Sequence, residues 1–142
     1  MGDEQGKKSS KLITPYEVDF STSFDLYYQQ LVSMSPPLRL LDCIDDFIQH
    51  YEIYGLSGWT GKISPSNRLP EGTPNREELV CRANRYNLYH AHVGDPYFRD
   101  TGRGYSVSDG VLHFQKLSSY KIKLISYGYH RPMELPTDDE IS

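Results

Sequence analysis

The stretch VLHFQKLSSYKIKLISYGY, residues 111–129, decides the fold class of this chain. On each side of Ser118-Ser119, apolar residues alternate with polar ones, which is the two-residue period of a half-buried β-strand. Because so short a link joins the two runs, they predict a β-hairpin with strands at 111–117 and 120–129. A third strand with the same alternation is predicted at 86–93. The second half of the chain therefore predicts a mainly antiparallel sheet.

The first half of the chain adds one strand and two helices. Residues 13–20 alternate in the same way, and Pro15 near the start of this strand favours an edge position. Ser21-Thr22-Ser23 is a good N-cap cluster, so a helix is expected to follow it. Ser35-Pro36-Pro37 then predicts the start of a second helix, with Ser35 as its N-cap, and Gly55 is a plausible C-terminal stop.

The order of these elements predicts an α+β fold. We expect an N-terminal strand and a two-helix hairpin to pack on one face of a curved, mainly antiparallel four-stranded sheet, which leaves the other face free. A loop rich in Gly, Pro, Ser and Asn is predicted at 58–76. Residues 12–135 form the single domain, preceded by a disordered leader at 1–11 and followed by an acidic disordered tail at 136–142.

Composition limits the class of protein. A chain of 142 residues is long enough for one core. It has no apolar run of the length that a secretory signal or a membrane-spanning helix requires, so we expect a cytoplasmic protein with no membrane partner. Cys43 and Cys81 lack metal or redox spacing and are interpreted as structural thiols.

The net charge of −4 hides an asymmetry along the chain. Residues 1–80 carry 7 basic and 12 acidic side chains, residues 81–132 carry 8 and 3, and residues 133–142 carry 0 and 4. A basic segment between acidic ones is typical of a protein that binds a phosphate-bearing partner. The alternative is an ordinary sheet with solvated lysines.

The free face of the predicted sheet gathers histidine, lysine and tyrosine. A period of two places His90, His92 and His113 there, while their neighbours face the helices. The last strand adds Lys121, Lys123, Tyr127 and Tyr129, and His130-Arg131 follows at its end. These facings depend on the absence of a β-bulge, since a shift of one residue would exchange them.

These residue types suit RNA cleavage without a metal. Histidine can move a proton near neutral pH, a cation can stabilise a phosphorane, and tyrosine can stack on a base. The 2′-hydroxyl would attack the adjacent phosphate and expel the 5′-oxygen. His90-x-His92 is also a metal-ligand spacing, but no carboxylate or cysteine cluster completes a site, so we expect no metal and no cofactor. His113 and the tyrosines are equally consistent with packing.

At this point the organisation resembles the RelE/ParE superfamily of bacterial toxins from toxin–antitoxin systems, in particular its messenger-RNA nucleases of the RelE, HigB and YafO type. The resemblance covers roughly residues 12–135. It is carried by element order and by YGLSGW at 54–59, LYHAHV at 88–93, the hairpin at 111–125 and YHRP at 129–132.

The resemblance implies a toxin that cleaves messenger RNA in the ribosomal A site and so inhibits translation. Its partners would be messenger RNA, the ribosome and a cognate antitoxin protein. The catalytic residues that the resemblance implies are His130, Arg131, His92 and His90, and Lys123 and Tyr127 join them only through their predicted facing. The expected RNA-binding residues are Arg82, Arg85, Arg103, Lys116, Lys121 and Tyr129.

Two other readings of the sequence stay open. One is a non-enzymatic inhibitor or binding module, similar to the gyrase-poisoning ParE branch, because fold alone does not separate the two activities. The other is a small metal-dependent enzyme built around His90 and His92.

Overall fold

The computed structural model describes residues 14–142. Its α+β architecture contains these elements in chain order: β1 (Glu17–Phe20), α1 (Thr22–Ser33), α2 (Arg39–Tyr54), β2 (Ile63–Pro65), α3 (Arg76–Tyr86), β3 (Leu88–His92), β4 (Arg99–Asp100), β5 (Ser106–Val107), β6 (Gly110–Ser118), β7 (Lys121–Tyr129) and α4 (Asp138–Ile141). The predicted α+β class is therefore confirmed. Within the described residues, the four helices exceed the predicted pair by two.

The main sheet has five strands in the order β1-β7-β6-β3-β2. The predicted hairpin is present as β6 and β7, which pair antiparallel, and β3 pairs antiparallel with β6. β1 lies at one edge, as Pro15 predicts, and runs parallel to β7. The sheet is thus mixed, and its fifth strand, β2, lies within the predicted loop at 58–76. β4 and β5 form a separate two-stranded sheet.

The first two helices follow the prediction except at one boundary. Ser21 caps α1 by accepting a hydrogen bond from the Phe24 backbone N–H at 3.1 Å. Helix α2 begins at Arg39 with Leu38 as N-cap, so the prediction of Ser35 as N-cap is wrong. The reason is local, because a proline disfavours the helical region for the residue before it, and Ser35 and Pro36 each precede one. Gly55 ends α2 with a positive φ of 69°.

One face of the sheet packs on α1 and α2 around a first hydrophobic core. Its buried members include Phe24, Ile44, Phe47, Ala91 and Leu112. Trp59 packs edge-on to Phe47, with ring centroids 5.1 Å apart. The side chains predicted to face the helices from β3 and from β6 do so.

The opposite face is partly covered, which corrects the prediction of a free face. Helix α3 packs there around a second core that contains Ala83, Leu88 and Ile125. The sequence gives α3 little apolar periodicity, but Glu77 and Glu78 in its first turn and Arg85 in its last match the helix dipole. The part of this face that the second core does not cover is available for a functional site.

The C-terminal segment corrects a second prediction. Residues 136–142, predicted to be a disordered tail, include a helical turn with a capping box between Thr137 and Glu140. Ile141 at the end of this turn is buried in the second core together with Leu135. The acidic side chains face outward, so a charged composition conceals one buried anchor. The predicted leader at 1–11 lies outside the described residues.

A β-bulge in β7 corrects a third prediction. His113 pairs with Ser126 and Phe114 with Leu124, so Ile125 is an extra residue between them. Past the bulge, Tyr127 lies on the helix-facing side, packed against the first core. The prediction that Tyr127 faces the open side is therefore wrong, because the inserted residue exchanges the two faces.

No helix among residues 14–142 is long and apolar enough to cross a membrane.

Candidate functional site

Two neighbouring rows of residues run across the sheet beside the second core. The first row pairs Ser64 of β2 with His90 of β3, His90 with His113 of β6, and His113 with Ser126 of β7. The second row pairs His92 with Val111, and Val111 with Gly128. Because side chains two residues apart in a strand share a face, His90 and His92 project to the same side. This is the arrangement that the sequence predicts for β3.

His130 joins these histidines from the end of β7. Its backbone N–H donates to the Asp109 carbonyl at 2.7 Å, which fixes the chain where the strand ends. Its ring centroid lies 4.7 Å from that of His92 and 5.5 Å from that of His90. Gly128 has no side chain, and a β-carbon built there would meet no atom of residues 14–142 within 4 Å, so the space beside this strand position is open.

A cavity of about 660 Å³ opens over the three imidazoles. We call it the histidine pocket; its lining residues are Lys62, Ser64, His90, His92, Arg99, Val107, Ser108, Asp109, Tyr129, His130 and Arg131. Three of these side chains are cationic and one is a carboxylate, Asp109, which accepts a hydrogen bond from Arg99 at 3.1 Å. The pocket therefore carries excess positive charge and suits an anionic ligand.

Buried serines orient the two β3 imidazoles. Ser66 Oγ lies 3.0 Å from His90 Nδ1. His92 Nδ1 lies 2.7 Å from the Ser108 carbonyl oxygen, and the Ser108 backbone N–H donates to the same atom at 3.0 Å. The two contacts call for opposite tautomers; a carbonyl can only accept, so the shorter contact favours a proton on Nδ1 and a lone pair on Nε2. In both histidines Nδ1 is occupied by a neighbouring group, so Nε2 is the ring nitrogen without a partner in these contacts.

The support around His92 is itself fixed by close packing. The indole Nε1 of Trp59 donates to the His92 carbonyl at 2.9 Å. A β-carbon on Gly61 would lie 1.9 Å from the same carbonyl oxygen, so only glycine allows the segment before β2 to approach the end of β3. Ser108 Oγ accepts from the Gly94 N–H at 3.0 Å and donates to the Gly110 carbonyl at 2.8 Å.

All four histidines of this region have lowered pKa values. Burial, followed by the neighbouring His113 and His130, lowers the pKa of His90 to about 3. Burial lowers the pKa of His92 to about 4, although its bond to the Ser108 backbone opposes the shift. For His130, burial and then the charge of Arg131 lower the pKa. The imidazoles are therefore neutral at pH 7, and the unprotonated nitrogen of each ring can bind a metal ion, although the lowered pKa values make the rings weaker proton acceptors than a solvent-exposed histidine.

His113 differs from the other three because it does not line the pocket. It is 1% exposed, and neither ring nitrogen has a hydrogen-bond partner among the described residues. Burial and the nearby His130 lower its pKa to about 4. Its ring centroid lies 6.2 Å from that of His90, so it packs behind the pocket wall.

The fold supplies a third potential metal ligand that sequence spacing does not reveal. One ring nitrogen from each of His90, His92 and His130 lies within 4.8 Å of the other two. His90 and His92 are predictable as a pair two residues apart on one strand, but His130 is 38 positions away from His92 and meets it only through the pairing of β3, β6 and β7.

Five predicted site residues converge on the histidine pocket: His90, His92, Tyr129, His130 and Arg131. The remaining predicted residues lie elsewhere. Tyr127 donates a hydrogen bond to Asp95 on the helix side of the sheet, where burial and this bond raise its pKa. Lys123 pairs across strands with Gln115 and Asp19, away from the pocket lining.

The other predicted RNA-binding residues do not line the pocket either. Lys121 forms an ion pair with Asp19 at 3.2 Å, and Lys116 lies over the Tyr89 ring. Arg82 donates to the Pro136 carbonyl at 3.2 Å, which ties α3 to the C-terminal segment. Arg85 lies over the Tyr86 ring on α3. Arg103 lies in the exposed turn between β4 and β5.

Sequence reasoning missed Lys62, Arg99, Ser66, Ser108 and Asp109. Lys62 precedes β2, which lies inside a segment predicted to be loop, and the β4–β5 sheet brings in Arg99. Loops rich in glycine and proline often carry functional residues, and this composition is the sequence feature that points to these segments.

Comparisons with known proteins returned nothing: no family model matches this chain, and no curated protein or solved structure matches it.

Proposed function

We propose that this protein is an endoribonuclease that cleaves messenger RNA in the histidine pocket by acid–base chemistry without a metal. The observation that carries the proposal is the convergence of His90, His92 and His130 with Lys62, Arg99 and Arg131 around one open cavity. Phosphodiester cleavage needs a proton acceptor and cations around one phosphate, and this pocket holds both.

His130 is the proposed proton acceptor. It is the least buried of the three imidazoles that line the cavity, so the 2′-hydroxyl of a bound nucleotide can reach it. Removal of the hydroxyl proton lets the 2′-oxygen attack the adjacent phosphorus and expel the 5′-oxygen. The products are a 2′,3′-cyclic phosphate and a 5′-hydroxyl end, and no metal or cofactor enters this sequence.

The cations of the pocket act on the phosphate. The guanidinium of Arg131 is adjacent in sequence to His130 and lines the same cavity, where its planar donors suit two phosphate oxygens. The Lys62 ammonium is assigned to protonate the leaving 5′-oxygen, because it is a proton donor that an arginine cannot replace. Tyr129, 63% exposed at the rim, offers a surface on which a base can stack.

We extend the proposal to biological role: a cytoplasmic toxin of the RelE/ParE type that acts on messenger RNA at the ribosome and is neutralised by a cognate antitoxin. The support is the order of elements: an N-terminal strand pairs at the edge of an antiparallel centre, a helix pair packs on one face, and the histidines lie on the other face. The same architecture would suit a non-enzymatic inhibitor, and the experiment below separates the two.

The test is inducible expression in bacteria of the wild type and of a His130→Ala/Arg131→Ala variant. Growth and messenger integrity are followed by primer extension. A matched control, His50→Ala/Arg68→Ala, removes the same residue types outside the pocket. We expect arrest and new messenger 5′ ends with the wild type and the control, and neither with the pocket variant.

A cell-free assay tests the chemistry. Purified protein is incubated with RNA, with and without ribosomes, in magnesium buffer that contains a chelator selective for transition metals, and the product ends are mapped. Cyclic phosphate ends formed in the presence of this chelator support the mechanism. Growth arrest with intact messengers would support a binding inhibitor instead, and cleavage that the chelator abolishes would support a metal-dependent enzyme.

A further inference from the structure

We infer that His90, His92 and His130 form a binding site for one zinc ion. Three ring nitrogens lie within 4.8 Å of one another, so there is a point within about 2.8 Å of all three. Zn–N bonds are about 2.0–2.1 Å long, so each nitrogen needs to move by less than about 1 Å. His130 lies beyond the end of β7 and is only partly buried, so its ring has room to make that movement.

The surroundings of the two β3 ligands favour metal binding. Histidines that bind metals usually donate their second ring N–H to a carbonyl or another oxygen, which fixes the tautomer and the ring orientation. His92 Nδ1 does this toward the Ser108 carbonyl at 2.7 Å, and His90 Nδ1 lies 3.0 Å from Ser66 Oγ. Both serines are fully buried, so the Nε2 atoms are held toward the cavity.

The ligand set selects the class of ion. Three neutral imidazoles with no carboxylate among them suit Zn²⁺ and neighbouring transition metals, whereas Mg²⁺ and Ca²⁺ require oxygen ligands. The cavity leaves the fourth tetrahedral position open. Lys62, Arg99 and Arg131 repel a divalent cation but attract an anion, so an anionic fourth ligand is expected to complete the site.

The consequence for activity rests on the proposed function. A nitrogen lone pair that binds zinc cannot accept a proton, so the bound ion removes His130 from the cleavage step. Zinc is therefore an inhibitor of the proposed nuclease, because zinc binding and proton transfer need the same nitrogen lone pair of His130.

Binding is tested on the full purified chain after removal of metals with a chelator. Zinc is titrated in competition with a chromophoric chelator, and cobalt(II) is used as a spectroscopic probe of tetrahedral nitrogen ligation. We expect one ion per chain, no binding of Mg²⁺, and affinity lowered by at least about 100-fold in His130→Ala, which alters a partly buried residue beyond the end of β7 rather than a core residue. His50→Ala, on α2, is the matched control and retains wild-type affinity.

The outcomes separate the two proposals. Absence of stoichiometric zinc, or equal affinity in the wild type and His130→Ala with both proteins folded by circular dichroism, overturns the zinc site. If zinc binds and cleavage by the metal-free protein in chelator-free buffer is not suppressed by added zinc, the inhibitory role is overturned. If zinc binds but no cleavage occurs under any condition, the zinc site stands and the nuclease fails.

Discussion

Replacing His113 with leucine is expected to make this protein less sensitive to acid. The side chain is buried in β6, and its two ring nitrogens lack partners among residues 14–142. Leaving a buried polar group unsatisfied costs about 1–3 kcal/mol, and leucine has a similar volume. We therefore expect His113→Leu to be at least as stable as the wild type at pH 8.

The pH dependence gives the sharper number. The folded protein has a His113 pKa of about 4, against about 6.5 for histidine in an unfolded chain. Between these values the unfolded chain binds a proton that the folded chain does not, so wild-type stability falls as pH decreases from about 6.5 to about 4. The slope is about 1.4 kcal/mol per pH unit, or about 2 kcal/mol lost by pH 5. His90 and His130 face His113, and His113 is one cause of the low pKa of His90, so its removal also lessens the acid sensitivity that His90 contributes.

Urea unfolding followed by the fluorescence of Trp59, which packs on the first core, provides the assay. Measurements at pH 8, 7, 6 and 5, in EDTA, should show the stability advantage of His113→Leu growing by about 2 kcal/mol at pH 5. Val111→Ala, a cavity-forming change on the same face, is the control: it lowers stability by a constant amount at every pH. If the wild type and His113→Leu run parallel from pH 8 to pH 5, the reasoning about His113 is refuted.

Three further changes test the packing that supports the site. Ile141→Ala should lower the free energy of unfolding by about 2 kcal/mol, because the side chain is buried in the second core. An unchanged urea midpoint would contradict this burial and support a disordered C-terminal tail. Ser108→Ala should cost about 1–3 kcal/mol by leaving the Gly94 N–H unpaired, and a melt matching the wild type would contradict this. Tyr127→Phe should lower the free energy of unfolding by about 1 kcal/mol, because the hydrogen bond to Asp95 is lost, and should leave messenger cleavage intact. Loss of cleavage at wild-type stability would instead indicate that Tyr127 acts in the site.

Local patterns predicted the histidine face of β3 because nothing interrupts its alternation. His90 and His92 fall where the two-residue period places them. Tyr127 does not, since one extra residue, Ile125, occurs in an apolar run with no glycine or proline to mark it. A bulge of this kind depends on how the partner strand packs, which a single strand's sequence does not encode.

Helix α3 and the third histidine escaped prediction for different reasons. Helix α3 buries only Ala83 fully, so the apolar stripe that reveals α2 is weak, and its terminal charges were the available signal. His130 was recognised as exposed and polar at a strand end, but its meeting with His92 follows from pairing across three strands. Nonlocal pairing of that kind has no signature in residue spacing.

The bulge at Ile125 also divides β7 into one part that builds the first core and one part that leads to the histidine pocket. The inserted residue reverses the alternation of the strand, so residues 121–124 and 126–129 follow two separate patterns of facing. In the first part, Ile122 and Leu124 face the helices, and the second part leads to His130. Deleting Ile125 would leave the composition nearly unchanged but would exchange the two faces of the second part of the strand. Tyr127 would then turn toward the histidines and His130 away from them.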